Sequence, residues 1–313
     1  MTDSMELLAP EIQAETEGGG ALDVDAQRVS VVIPAFNEAG AIRAQVESVR
    51  SVLDRAGIEH EIIVVDDGSA DATAAEAEQT GVRVIRHTRN RGYGASLKTG
   101  IRAARYETIA ITDADGTYPS DALPGMIRTA RDYDMVVGSR TGMDVHIPLI
   151  RRPAKWFLRV LASYVTRYPI PDLNSGMRIM RKSQVRRFEY ILPSGFSFTT
   201  TITLALLSND YLVHYEPINY NKRIGRSKIR PVDAYHFTIL ILRTIVCFNP
   251  LRVFLPVGAA LFLLGFGKFI YDLTRDNLSE SAIFGLLSAF IIWGIGLMSD
   301  QIARLSMAIR SSD

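Results

Sequence analysis

The rhythm of apolar and polar positions changes at Arg28 and again near Asp233. Between those points, short apolar runs alternate with stretches of helical period. RVSVVIPA, EIIVVDD, VRVIRHT, TIAITDAD and MVVGSR read as strands. AIRAQVESVRSVL, DATAAEAEQ, GASLKTGIRAARY and DALPGMIRTARDY between them read as helices. The strands are continuous apolar runs, not period-two alternations, so both faces must be covered. Strand and helix in turn then predict an α/β domain with a mostly parallel sheet and helices on both sides. The region from Thr141 to Arg230 is less regular, with an amphipathic helix around RRPAKWFLRVLASYV.

The last part of the chain differs in kind. Residues 232–250 are mostly apolar, with Asp233, His236, Arg243 and Thr244 as a narrow polar stripe, which suits a helix lying in a membrane interface. Val253 to Tyr271 and Ala282 to Met298 are apolar runs long enough to cross a bilayer, so 251–313 is expected to be a two-helix anchor. Arg243, Arg252, Arg304 and Arg310 lie outside the pair, while the connector DLTRDNLSES is acidic overall. This bias puts both flanks, and the domain before them, on the cytoplasmic face of the cell (inner) membrane. Lys268 can extend its ammonium to the far interface. A buried hairpin in a soluble domain is the weaker alternative. At the other end, residues 1–27 are acidic, contain Gly18-Gly19-Gly20 and are expected to be a disordered tail without a signal peptide.

Composition removes several classes. A net charge of +1 over 313 residues gives no nucleic-acid footprint. Cys247 is the single cysteine, so no internal disulfide or cysteine zinc cluster can form. The five histidines are scattered without zinc-hydrolase spacing, and no P-loop is present. RGYGASL follows the third strand, not the first, and has Leu97 at the third glycine position of a dinucleotide fingerprint.

Acidic residues fall where a parallel sheet binds ligands. Asp66 and Asp67 end the second strand, and Asp113 and Asp115 end the fourth. Asp71 is a good helix cap. Capping does not account for Asp113-Ala114-Asp115 directly after a buried strand. Carboxylates at i and i+2 can reach one hard cation, Mg²⁺ or Mn²⁺, able to stabilise a diphosphate leaving group. Basic residues cluster at Lys222, Arg223, Arg226, Ser227 and Lys228, and Arg140 follows the fifth strand.

PAFNEAG, VVDDGSADAT, RNRGYGASLKTG, TDADGTYP and VVGSR, in this order, resemble family 2 glycosyltransferases of the GT-A fold. The likeness continues through DLNSGMRIMRK and KRIGRSKIRP, covering 28–231. The subgroup resembled is the polyprenyl-phosphate sugar transferases. The resemblance implies that Pro34, Phe36 and Glu38 line a nucleoside pocket and that Asp67 accepts from the base imide. Lys98 would help neutralise the donor, and Asp113, Ala114 and Asp115 would meet the metal and diphosphate. Thr117 stands where mannose-synthase relatives often carry Gln. Arg140, Ser175, Arg178, Arg226, Ser227 and Lys228 would contact the acceptor phosphate, with Arg151 and Arg152 as weaker candidates. The implied reaction is inverting transfer from a nucleotide-diphosphate sugar (UDP-sugar favoured, GDP-mannose open) to polyprenyl phosphate. Two helices make a thin anchor, and a homo-oligomer, dimer or tetramer, would bury more of their surface. The rivals are a membrane transferase with a hydroxyl acceptor, a processive synthase, whose Gln-x-x-Arg-Trp motif is missing, and a non-catalytic nucleotide-sugar-binding scaffold.

Overall fold

A computed structural model describes residues 28–141, 160, 162–164, 166–220, 239, 246, 248–275 and 279–311. Seven strands form one sheet in the order β3-β2-β1-β4-β6-β5-β7. They are β1 Arg28–Ala35, β2 Glu59–Asp66, β3 Arg83–Arg86, β4 Thr108–Ile111, β5 Met135–Ser139, β6 Arg178–Arg181 and β7 Val213–Pro217. β1, β2, β3 and β4 are parallel, as are β5 and β7. β6 runs antiparallel between β4 and β5.

The helices are α1 Ile42–Arg55, α2 Thr73–Glu78, α3 Tyr93–Ala103, α4 Leu123–Thr129, α5 Lys182–Arg187, α6 Phe198–Ser208, α7 Leu251–Leu273 and α8 Glu280–Ser311. The continuous apolar strands have the expected cause. Val29, Val31 and Ile33 of β1 pack with Ile42, Val46 and Val49 of α1 and Met126 of α4. Val32 points the other way, into a second cluster with Leu97 and Ile101 of α3 and Phe198 and Ile202 of α6. The sheet is thus the middle of three layers, and alternate residues of one strand serve two cores.

α7 and α8 form a hairpin of another character. Both are long and apolar enough to cross a membrane, and their apolar side chains face outward, with Leu264 72% exposed. They are longer than the apolar runs that reveal them, beginning at Leu251 and Glu280. Phe248, just before α7, joins the core and meets Phe188 edge-on at 6.0 Å. The hairpin is therefore packed against the sheet domain at its root. Most of the interfacial helix expected over 232–250, and most of the amphipathic helix expected around 151–165, lie outside the described residues.

Candidate active site

The carboxyl ends of β1, β2 and β4 lie side by side, and the acidic residues gather there because the chain leaves each strand at that edge. The loop after β1 and the loop after β2 are tied together. Asn37 N–H donates to Ser69 Oγ at 2.9 Å, Ala70 N–H to Asn37 Oδ1 at 2.9 Å, and Glu38 N–H to Thr73 Oγ1 at 2.8 Å. Asp71 accepts from Thr73 N–H at 3.0 Å and from Ala39 N–H at 3.2 Å. The N-cap of α2 is Ala72, not Asp71 as expected; Asp71, one residue earlier, bonds the first residue of the helix and staples it to the PAFNE loop. Pro34 is buried at the end of β1, while Phe36 and Glu38 are partly buried in that loop.

The two aspartates that end β2 have separate tasks. Asp67 is buried and accepts from Gly92 N–H at 2.8 Å, Arg91 N–H at 2.9 Å and His87 Nδ1 at 2.7 Å. Both its oxygens are engaged in holding the turn that enters α3. Asp66 has Oδ2 buried without a hydrogen-bond partner, 3.5 Å from Arg86 Nε. It lines a cavity of about 350 Å³ with Gly68, Ser69, His87 and Thr88.

Asp113 and Asp115 follow β4 and are partly exposed, with Ala114 buried between them. Tyr93 donates its hydroxyl to Asp113 Oδ1 at 2.9 Å. Asp115 Oδ1 accepts from Thr117 Oγ1 at 2.6 Å and Thr117 N–H at 3.2 Å. Thr117, read as a replacement for an amide side chain, therefore orients Asp115 from behind. Burial, with Asp113 beside it, pushes the Tyr93 hydroxyl well above the usual tyrosine range.

Several residues assigned to ligands by resemblance are structural in position. Arg178 is completely buried in β6. It donates to Ser175 O at 2.8 Å, Leu173 O at 3.0 Å and Thr203 Oγ1. Ser175 is also fully buried and donates to Gly138 O. Both are bonded to protein acceptors and fix the 172–177 loop over the sheet, because a guanidinium enclosed this way must find its acceptors inside the protein. Lys98, expected to neutralise a donor, donates Nζ to Leu192 O at 2.8 Å, and burial lowers its pKa. Arg140 makes a two-pronged pair with Asp172, at 2.7 and 2.9 Å, and lies 5.4 Å from the Tyr220 ring. Its charge is largely answered within the protein. Arg151, Arg152, Lys222, Arg223, Arg226, Ser227 and Lys228 lie outside the described residues.

With this geometry, residues 30–188 match the glycosyl transferase family 2. The chain belongs to that family. Residues 249–305 also match the GtrB C-terminal hairpin, the segment formed by α7 and α8. A dolichyl-phosphate hexose transferase of Haloferax volcanii is 30% identical over 205 residues, covering 65% of this chain and 87% of that protein. A dodecaprenyl-phosphate galacturonate synthase of Rhizobium johnstonii is 27% identical over 305 residues, covering 90% and 89%. Among solved structures, glucosyl-3-phosphoglycerate synthase from Mycobacterium tuberculosis, with Mn²⁺, UDP and phosphoglyceric acid, superposes with TM-score 0.56 at 19% identity. The match covers 71% of this chain and 81% of that one. The sheet is that of a GT-A glycosyltransferase, and this chain is a glycosyltransferase.

The donor set of this family 2 enzyme fits a divalent ion. Asp113 and Asp115 offer hard oxygen ligands at the sheet edge. A Cβ placed on Gly176 would stand 2.9 and 3.0 Å from the two Asp113 carboxylate oxygens, so only glycine leaves room around that group. Among the described residues no cluster of three or more His, Cys, Asp or Glu is assembled, so the remaining ligands would come from substrate and water. Tyr93, Tyr118 and His87 were not legible as site residues. Tyr118 accepts from Gly176 N–H at 2.6 Å, and so supports the same glycine. Their signal was faint: tyrosines inside the glycine-bearing loops RGYG and DGTYP.

Proposed function

We propose that this enzyme transfers a sugar from a nucleotide diphosphate to a polyprenyl phosphate at the cytoplasmic face of a membrane. The observation that carries the reading is one chain joining an Asp-Ala-Asp edge at β4 to an outward-apolar helical hairpin. The names of the two relatives above, both transferases to polyprenyl phosphates, support the acceptor. A UDP-sugar is the favoured donor, supported by the UDP in the structural neighbour. We assign the base and ribose to the loops after β1 and β2, where the Asp66–Ser69 turn opens on the cavity lined also by Arg86, His87 and Thr88.

Asp113 and Asp115 would hold a Mg²⁺ or Mn²⁺ ion, which would supply charge to stabilise the departing diphosphate. The chain does the rest. Thr117 and Tyr93 orient the two carboxylates, and the bonded loops after β1 and β2 fix the nucleoside, so that the anomeric carbon is presented in one direction. A phosphate monoester is already anionic at neutral pH, so its oxygen attacks without a general base. The bond from the anomeric carbon to the diphosphate breaks as the new one forms on the opposite face, with inversion. Arg226, Ser227 and Lys228 are the donors proposed for the acceptor phosphate.

The test is a transfer assay with purified protein in detergent, Mg²⁺, undecaprenyl phosphate and a panel of labelled UDP- and GDP-sugars. One donor is expected to give an organic-extractable, metal-dependent product, and Asp115→Ala is expected to lower its formation by at least about a thousandfold. Nucleotide release without lipid labelling would instead favour a hydroxyl acceptor. Donor binding without turnover would favour a scaffold.

A further inference from the structure

We propose that Tyr93 is a positioning residue for Asp113, held in place by Phe196. The inference rests on the metal reading given above. Tyr93 opens α3 immediately after Gly92, whose φ is +98°. A Cβ on Gly92 would stand 2.5 Å from Ser194 O, so the 192–196 loop approaches here as only glycine allows. Two hydrogen bonds fix that loop to α3. Ala95 N–H donates to Ser194 O at 3.0 Å, and Lys98 Nζ to Leu192 O at 2.8 Å.

The approach lays the Phe196 ring on the Tyr93 ring, with centroids 5.5 Å apart and planes inclined by 19°. Phe196 is 65% exposed, an uncommon place for a large apolar ring. It stacks on Tyr93, and the stack limits where the phenol can swing. The phenol ends on Asp113 Oδ1 at 2.9 Å. A carboxylate with one oxygen held by a fixed donor presents its other oxygen in a defined direction, which is how outer residues tune metal ligands. A tyrosine that only filled space would not need its hydroxyl on this carboxylate.

Mn²⁺ binding to the purified full-length protein in detergent, with UDP present, separates the cases. It is read as loss of the free-ion electron paramagnetic resonance signal, without turnover. Tyr93→Phe keeps the ring and the stack and removes only the hydroxyl. It is expected to bind Mn²⁺ about tenfold more weakly than wild type at an unchanged melting temperature. Phe196→Ala, with the hydroxyl intact, is expected to weaken Mn²⁺ by a smaller factor. Wild-type affinity in Tyr93→Phe overturns the proposal while leaving the metal reading intact. Absence of Mn²⁺ binding in the wild type removes the metal reading and this inference with it. If Tyr93→Phe does not fold, Phe196→Ala decides, and unchanged affinity there overturns the proposal.

Discussion

Arg140 and Asp172 show how one residue pair can look like chemistry and act as architecture. Arg140 follows β5 directly, where a basic side chain could meet a phosphate. Instead its guanidinium spans both oxygens of Asp172, with little of either side chain exposed. Burial alone would raise the Asp172 carboxyl, but the hydrogen bonds and charge of Arg140 outweigh it and hold the group below its ordinary 3.8. A carboxyl depressed in the folded state contributes stability above its unfolded pKa and loses it as pH falls through the folded value. Asp172→Asn is therefore expected to cost about 3 kcal/mol at pH 7. Melting curves of the two proteins should converge below pH 3.8, as the wild-type pair is protonated apart. A gap independent of pH would mean that the pair adds nothing electrostatic. The same limit governs what could be read at this scale. That Asp113 and Asp115 stand together at the sheet edge was legible because they directly follow a buried strand. That Arg178 and Ser175 are enclosed and bonded to protein carbonyls, and that Lys98 meets Leu192 O, was not legible, because sequence gives residue type and order but not which acceptors stand within reach.

At the scale of elements, the parallel strands were readable because double-sided burial leaves a continuous apolar imprint. β6 was not, since RIMR is short, ends in arginines and owes its place to antiparallel pairing with distant β4 and β5. α6 was equally obscure: FTTTITLALLS is rich in β-branched residues and buried throughout, so it carries no polar stripe to set a helical period. The hairpin helices were plain from length and composition, but their mutual packing was not. A Cβ on Gly265 would stand 2.8 Å from Leu286 N and 2.9 Å from Gly285 C, so the two backbones meet there. Gly267 has nothing within 4 Å of its corresponding position. Gly265→Val is expected to destabilise the hairpin by about 2 kcal/mol, seen as a lower melting temperature in detergent. Gly267→Val should leave the melting temperature near wild type. Equal effects would mean that helix propensity, and not the close contact, decides.

Across the whole molecule, the arrangement of charge and apolarity around the hairpin supports the orientation proposed above. α7 has 23 residues, which at helical rise span about 35 Å, more than a bilayer's hydrocarbon core. Apart from Lys268 near its end, its exposed side chains are mostly apolar, a surface that water disfavours and lipid accepts. At the far turn, Lys268 pairs with Asp272, which also accepts from Ser279 N–H at 3.1 Å, so opposite charges there satisfy each other. At the root, Arg252 remains on the side of the sheet domain, in keeping with positive charge retained in the cytoplasm. The proposed orientation puts the turn and the sheet domain on opposite sides of a membrane. In a Cys247→Ser background, Arg275→Cys should react with an impermeant maleimide added outside intact cells stripped of their outer layers. Ser51→Cys, exposed on α1 of the sheet domain, should react only after the membrane is opened. Reaction of both from one side would mean that the hairpin lies along the membrane or away from it. The acceptor phosphate would then have to be delivered to the Asp113 edge by some route other than a lipid held beside a crossing helix.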